Sequence, residues 1–315
     1  MRHAFLGLDV GSISINYVLV DEEKNVVYSS YLRGSGDPVK TMQGGLAAIR
    51  DHGAAADYRI AGAGVTGSGR TLAGVLVGAD LVKNEISAHA RAALHLHPQT
   101  RTIIEIGGQD SKVTILRDGH VTDFAMNLVC AAGTGSFLDS QARRLGLSIE
   151  EFGELAMRSE NPAAIAGRCT VFAESDMIHK QQIGFNQKDI VMGLCMSLVR
   201  NFIGNVCRGK DLTPPFLFQG GVSENPGIRR AFETVLGFPV IVPKYNTVMG
   251  ALGAAILACE SDIRETRFRG FEVSDFDIRS AGFICTGCSN NCEIIEIKEG
   301  GKVLAYNGGR CEKWR

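Results

Sequence analysis

Thr102-Ile-Ile-Glu105-Ile-Gly107-Gly108-Gln109-Asp110-Ser111-Lys112-Val-Thr-Ile-Leu116 decides the fold, because the chain has already carried that pattern once. Near the start, Phe5-Leu-Gly-Leu-Asp9-Val-Gly11-Ser12-Ile13-Ser-Ile-Asn16-Tyr-Val-Leu19 runs the same way. In each copy an apolar strand ends on an acid, an apolar residue follows, and a glycine turn leads into a second strand. The first copy continues through the turn 21–25 into a third strand, Val26–Tyr31. The second continues through Arg117-Asp-Gly119-His120 into Val121–Ala125. A third glycine pair, Gly220-Gly221, follows the strand Pro215–Gln219 and leads through Val222 and Asn225 to a helix beginning near Pro226.

Turns without bulky side chains let backbone N–H groups approach phosphate. Two such turns facing one ligand offer donors to its phosphates from both sides, and the acids Asp9 and Glu105 are placed to hold hydrated Mg²⁺ and orient a water. ATP is therefore the expected ligand. A P-loop of the Gly-x4-Gly-Lys-Ser/Thr kind is absent, and no Gly-x-Gly-x-x-Gly follows a strand.

A second kind of chemistry sits in Asn127-Leu-Val-Cys130-Ala-Ala-Gly133-Thr134-Gly135-Ser136-Phe-Leu-Asp139. A cysteine precedes a small-residue turn that opens an amphipathic helix. The arrangement returns in Gly167-Arg-Cys169-Thr170-Val-Phe-Ala-Glu174-Ser-Asp176. A thiol at a helix N-terminus is pushed toward thiolate, the form that binds iron or zinc. A cubane cluster needs four thiolates, and each chain offers two at helix starts. Cys195 and Cys207, on an apolar helix over 190–207, and Cys259, on the last helix, read as core thiols.

The chain has 315 residues, enough for two sub-domains, and its net charge of −1 with both signs abundant gives no basic footprint for nucleic acid. No apolar run is long enough to span a membrane, and the opening residues read as a strand, not a signal. Nine cysteines in such a chain point to metal or redox chemistry in a cytoplasmic, anaerobic setting and away from disulfides. Helices are expected over 38–51 and around Asn84–Arg91, where Glu85 and His89 stand four apart as a surface ion pair.

Beyond residue 260 a charged linker, 261–284, leads to Cys285-x2-Cys288-x3-Cys292 and a lone Cys311. Between them 293–298 and 303–306 read as a hairpin turning at Gly300-Gly301, which would return Cys311 to the other three. That converging set predicts a tail metal site, a second iron–sulfur cluster or Zn²⁺. Trp314 beside it reads as packing.

The duplicated hairpins resemble the superfamily of actin, the heat-shock chaperone ATPases and the sugar kinases. The two cysteine–helix motifs, with Gly-Gly-Gln-Asp-Ser-Lys and Asn84-Glu-Ile-Ser-Ala-His89, are similar within it to the activators of 2-hydroxyacyl-CoA dehydratases and the ATPase subunits of benzoyl-CoA reductase. The resemblance covers about residues 4–260. It implies an α/β, two-lobed actin-like (ribonuclease-H-like) fold, with 1–95 and 245–260 as one lobe, 96–244 as the other and 285–315 as a cysteine-rich module. It implies phosphate loops at Asp9, Gly11, Ser12 and Ile13 and at Glu105, Gly107, Gly108, Gln109 and Asp110, where Gln109 and Asp110 join the catalytic acids. Gly133, Thr134 and Gly135 would border the nucleotide, and Gly220, Gly221, Val222 and Asn225 would hold its adenosine part.

It further implies a homodimer whose Cys130 and Cys169 share one [4Fe-4S] cluster. ATP would drive a low-potential electron from a ferredoxin or flavodoxin donor into an iron–sulfur acceptor: a 2-hydroxyacyl-CoA dehydratase, a benzoyl-CoA reductase-like protein or a double-cubane protein. Two departures stand out: relatives typically carry a lysine where this chain has Asn16, and an Asp where it has Glu105. A sugar or acyl kinase would use the same loops without needing Cys130 and Cys169, and an iron–sulfur sensor would leave Asp9 and Glu105 idle.

Overall fold

The structure is a computed structural model that describes residues 2–34, 36–53, 57–127, 133–167 and 169–314. Two compact units divide the chain: 1–89 with 250–315, and 90–249. Each is built on a five-stranded sheet, and the two sheets have the same order.

In the first unit β1 (Arg2–Val10), β2 (Ser14–Asp21) and β3 (Val26–Arg33) form an antiparallel meander. β4 (Tyr58–Thr66) and the two-residue β5 (Leu81–Val82) then add in parallel, giving the order β3-β2-β1-β4-β5. In the second unit β6 (Thr102–Ile106), β7 (Ser111–Arg117) and β8 (His120–Asn127) repeat the meander. β9 (Phe216–Gln219) and β10 (Val240–Ile241) add in parallel, giving β8-β7-β6-β9-β10. The duplicated strand-acid-glycine pattern is thus a duplicated sheet.

The helices begin where local chemistry tells them to. α1 (Pro38–Asp51) starts with Pro38, and the Asp37 side chain accepts from the Lys40 amide. α2 (Arg70–Val77) follows β4, and α3 (Glu85–Leu96) follows β5. α4 (Gly135–Arg144) and α5 (Ile149–Met157) follow β8, and Ser148 and Glu151 close a capping box on α5. Then come α6 (Thr170–Gln182), α7 (Gln187–Asn205) and, after β9, α8 (Pro226–Leu236), which Asn225 caps through the Ile228 amide. α9 (Met249–Cys259) is the last. α7 is buried along most of its length, and Phe202, Phe218 and Phe232 pack edge to face around it in the second unit's core.

The stretch 261–284 differs from the linker expected there. A 3₁₀ turn over Phe271–Asp275 and strand β11 (Ile278–Ile284) occupy most of it. β11 pairs with β12 (Glu293–Glu299), and β12 with β13 (Lys302–Asn307), in a third sheet. Phe271, Val273, Ile278 and Ile297 join the same buried cluster as Leu6, Leu8, Tyr17 and Leu46 of the first unit. Polar clasps reinforce the contact. Asp80 accepts from Thr266 Oγ1 and the Arg267 amide, and Gln43 donates to the carbonyls of Val273 and Phe276. The frequent charges of this stretch face outward, and a few apolar residues between them do the anchoring.

Candidate functional site

In the first unit β1 ends at Asp9-Val10, and the Gly11 amide donates to the Ser14 carbonyl at 2.9 Å, closing the turn into β2. Asp9 is paired in register with Asn16 of β2 and Thr66 of β4. Thr66 and Asn16 are buried, and Thr66 Oγ1 and Asn16 Oδ1 have no hydrogen-bond partner among the described residues. Buried acceptors of that kind are what a bound ligand or its waters satisfy. The carboxylate is packed closely on two sides. A Cβ at Gly67 would stand 2.6 Å from Oδ1, and one at Gly250 would collide with Oδ2. His89 Nε2 lies 3.8 Å from Oδ2. His89 is buried, not at the surface as the helix spacing suggested, and its approach to Asp9 is a relation between helix and strand that no local spacing encodes.

The second acid turn is built alike. The Gly107 amide donates to the Asp110 carbonyl at 2.9 Å, and Gln109 is exposed at its tip. Lys112 Nζ lies 2.9 Å from Glu105 Oε1 and 2.9 Å from Asp110 Oδ2, while Lys112 itself is 3% exposed. Sequence reasoning named both carboxylates and missed the ammonium that holds them. The signal was there: a lysine within a strand whose neighbours are buried must be paired if it is buried too.

The start of α4 is tied directly to this turn. The Gly135 amide donates to the Gly107 carbonyl, and the Ser136 amide to the Gly108 carbonyl, each at 2.9 Å. Ser136 Oγ donates to that same Gly108 carbonyl at 2.6 Å. A Cβ on Gly135 would press on Val222 Cγ2 and the Gly107 oxygen at 3.0 and 3.1 Å, so a larger residue would have to push one of them back. Gly133 and Thr134 are buried beside it. Cys130 lies outside the described residues. In the glycine pair after β9, Gly220 donates to the Asn246 carbonyl at 2.8 Å and Gly221–Glu224 form a 3₁₀ turn that buries Val222. The Asn225 oxygen is spent on capping α8, and its Nδ2 has no partner among the described residues.

Cys169 is the N-cap of α6, in extended conformation, and its side chain makes no capping bond. Both backbone groups of Ala166, three residues earlier, are fixed. The amide donates to Asp176 Oδ2 at 2.8 Å, and the carbonyl accepts from Ser197 Oγ at 2.5 Å. The sulfur is half-exposed, next to Val171 and Phe172, which are 65% and 64% exposed. An unspent thiol on a fixed helix start fits a cluster ligand.

Cys195 and Cys207 are buried, and burial pushes the Cys207 thiol up to about 12 and Cys195 well above an ordinary thiol. Cys259 differs from the core thiol expected: it is half-buried, with Sγ 3.8 Å from the Glu22 carbonyl oxygen.

The tail brings its four cysteines to one end of the third sheet, but not to one point. The Cys285 amide donates to the Cys292 carbonyl at 2.8 Å, so these two close the β11–β12 ladder. Cys285 Sγ accepts instead from the Gly287 amide at 3.5 Å and from Trp314 Nε1 at 3.2 Å, and these donors hold its thiol below the usual range. Cys288 and Cys311 are exposed. Among the described residues no three His, Cys, Asp or Glu side chains converge as a metal ligand set. An irregularity between Ile297 and Lys298 shifts the β12–β13 register by one residue, so that Ile295 stands opposite Asn307. Trp314 packs on Phe283 and Tyr306 at 5.1 and 4.9 Å between ring centroids.

Among the described residues no helix is long and apolar enough to cross a membrane. Among known proteins, the chain is 37% identical over 260 residues to an activator of lactoyl-CoA dehydratase from Anaerotignum propionicum, covering 81% of this chain and 97% of that one. It is 35% identical over 257 residues to the (R)-2-hydroxyglutaryl-CoA dehydratase activating ATPase of Acidaminococcus fermentans, covering 80% and 96%. Its fold matches the solved activator of the 2-hydroxyisocaproyl-CoA dehydratase from Clostridium difficile with bound ADPNP. That match has a TM-score of 0.73 at 35% identity, over 82% of this chain and 94% of that one. The fold is therefore the two-lobed, actin-like ATPase fold expected from the duplicated hairpins. A family model fits residues 6–258, and the chain belongs to the BadF/BadG/BcrA/BcrD ATPase family.

Proposed function

We propose that this chain is an ATP-dependent reductive activator: a homodimer that couples ATP hydrolysis to delivery of a low-potential electron. Cys130 and Cys169 of two protomers would supply the four thiolates of one shared [4Fe-4S] cluster. When bound, such a cluster supplies a one-electron redox centre. The acceptor would be an iron–sulfur 2-hydroxyacyl-CoA dehydratase or a related reductase, and the donor a ferredoxin or flavodoxin, all in the cytoplasm. The names of the relatives support the activator role, and the ADPNP in the solved neighbour supports ATP as ligand.

The observation that carries the reading is Cys169: a half-exposed thiol heading α6, unspent by its own helix. The backbone N–H groups of that first turn favour a negatively charged ligand. The exposed Val171 and Phe172 beside it suit burial against a second protomer. Asp9 and Glu105 are the acids assigned to ATP-bound Mg²⁺ and to the attacking water, with Gln109 and Asp110 completing the second turn. Gly11, Ser12, Ile13, Gly107 and Gly108 would line the phosphates. Because Gly107 and Gly108 also receive the first amides of α4, a change of phosphate contacts there reaches the helix that follows Cys130.

The test is anaerobic. Reduced protein is mixed with an iron–sulfur acceptor, and acceptor absorbance is followed with ATP, ADP or no nucleotide. Transfer only with ATP is expected. Equal transfer in all three conditions overturns the coupling, and ATP-dependent formation of a sugar or acyl phosphate identifies a kinase instead.

A further inference from the structure

The proposed function gives no part to Lys112, the charged residue that contacts both carboxylates of the second acid turn. It is the second residue of β7, directly across from Glu105 of β6 in the antiparallel register. Its ammonium is within 2.9 Å of a Glu105 oxygen and within 2.9 Å of an Asp110 oxygen. At 3% exposure it is more deeply buried than either carboxylate: Glu105 is 7% exposed, and the Asp110 side chain 35%.

A lysine is a poor structural choice here. Burying an ammonium costs solvation that a well-packed apolar side chain of similar volume would not lose. Lysine rather than arginine is informative too. A compact point charge with three N–H groups can serve two carboxylates that are not coplanar, whereas a guanidinium fork is made for one. The ammonium thus stands where the two carboxylate oxygens converge, as a divalent cation would.

We propose that Lys112 is a positioning residue acting as a built-in counter-cation. It holds Glu105 and Asp110 at the spacing that cation coordination would otherwise impose, and reserves them for the cation that arrives with nucleotide. This rests on the reading of Glu105 and Asp110 as groups that serve ATP-bound Mg²⁺. Without the ammonium, two carboxylates on one tight turn would repel each other and capture free divalent cation. A turn already loaded with cation would not be organised by the incoming nucleotide.

The experiment uses the full-length protein without nucleotide and Mn²⁺ as the probe, with the free ion measured by electron paramagnetic resonance. Lys112→Met and Lys112→Gln are each expected to gain one Mn²⁺ per chain, bound at least about tenfold more tightly than by wild type, the low end of what one adjacent charge does to a carboxylate. Lys112→Arg, which keeps the charge, should gain none. With ATP and saturating Mg²⁺, both neutral variants should lose kcat by about tenfold or more while KM for ATP stays within about threefold, because the loss is one of positioning.

A purely structural lysine predicts a lowered unfolding midpoint with no nucleotide-free Mn²⁺ binding. That result in the folded Gln variant overturns the proposal, and the Gln variant keeps hydrogen-bonding capacity if Met misfolds. Glu105→Ala separates the two readings. If it leaves Mg²⁺-ATPase intact, the assignment of the acid turn fails. If it abolishes activity while neither neutral variant gains Mn²⁺, only the role of Lys112 fails.

Discussion

Ser136 grips Gly108 twice: its amide and its hydroxyl both donate to the Gly108 carbonyl, at 2.9 and 2.6 Å. One oxygen of the glycine turn thus fixes the first turn of α4. If that turn holds phosphate, the helix start cannot ignore the nucleotide state. Ser136→Ala removes one of the two bonds and leaves the backbone bond intact. ATPase turnover should stay within about threefold, since a single neutral hydrogen bond is worth about 0.5–1.5 kcal/mol. ATP-dependent electron delivery should fall more than hydrolysis does. Equal loss of both, measured in parallel assays, would count against α4 as the coupling element.

Gly250 tests the first acid turn. Its missing side chain leaves room for Asp9 Oδ2 and His89 Nε2, both of which a Cβ would crowd. Gly250→Ala must displace the carboxylate or the helix, and α9 is a long, buried element that yields less easily than one side chain. Mg²⁺-ATPase should therefore fall by about the 10²–10³-fold expected for losing a preorganised group, approaching Asp9→Ala. Near-native circular dichroism with wild-type turnover would show that Asp9 does not need its present position.

Packing makes the residues after Glu260 part of the first unit's core. Truncation after Glu260 strips Phe271, Val273, Ile278 and Ile297 from the first unit's core and takes the Thr266 and Arg267 partners from Asp80. Full burial of each large apolar side chain is worth about 1.5–3 kcal/mol, so the loss is several kcal/mol. Against a typical total of about 5–15 kcal/mol, the truncated chain should be largely insoluble or unfold at a much lower denaturant midpoint. A soluble truncated protein with an unchanged midpoint would show the extension to be dispensable.

How far the sequence could be read follows from where its information lies. Both hairpins were legible because each strand, turn and acid is local, and α1 was legible to the residue because Asp37 and Pro38 mark its start. β5 and β10 were not. They are two residues long and exist only through their parallel neighbours. α2, Arg70–Val77, was hidden behind its glycine-rich entry. In the site, the acids could be named from their position at strand ends, but the pairing of Lys112 with both carboxylates and the approach of His89 to Asp9 are tertiary facts. In the tail the spacing of four cysteines was plain, and what it could not show was the Trp314 indole occupying Cys285 Sγ.

The cysteine that carries the proposed function offers the cleanest separation of folding from chemistry. Cys169 caps α6 without a side-chain hydrogen bond, and serine is among the best N-cap residues. Cys169→Ser should therefore fold as well as wild type and could gain a few tenths of a kcal/mol from a new capping bond. It should still bind ATP, because the groups assigned to the nucleotide belong to other elements. What it should lose is iron: anaerobically reconstituted variant should hold no stable cluster, and its dimer should loosen if shared metal forms part of the interface. Sulfide and iron analysis, sedimentation and an ATP-binding isotherm on one preparation decide the matter. About one cluster per two chains in wild type and none in the folded, ATP-binding variant is the expected pattern. A full cluster retained by the variant removes Cys169 from the ligand set, and one cluster per chain in wild type removes the shared geometry.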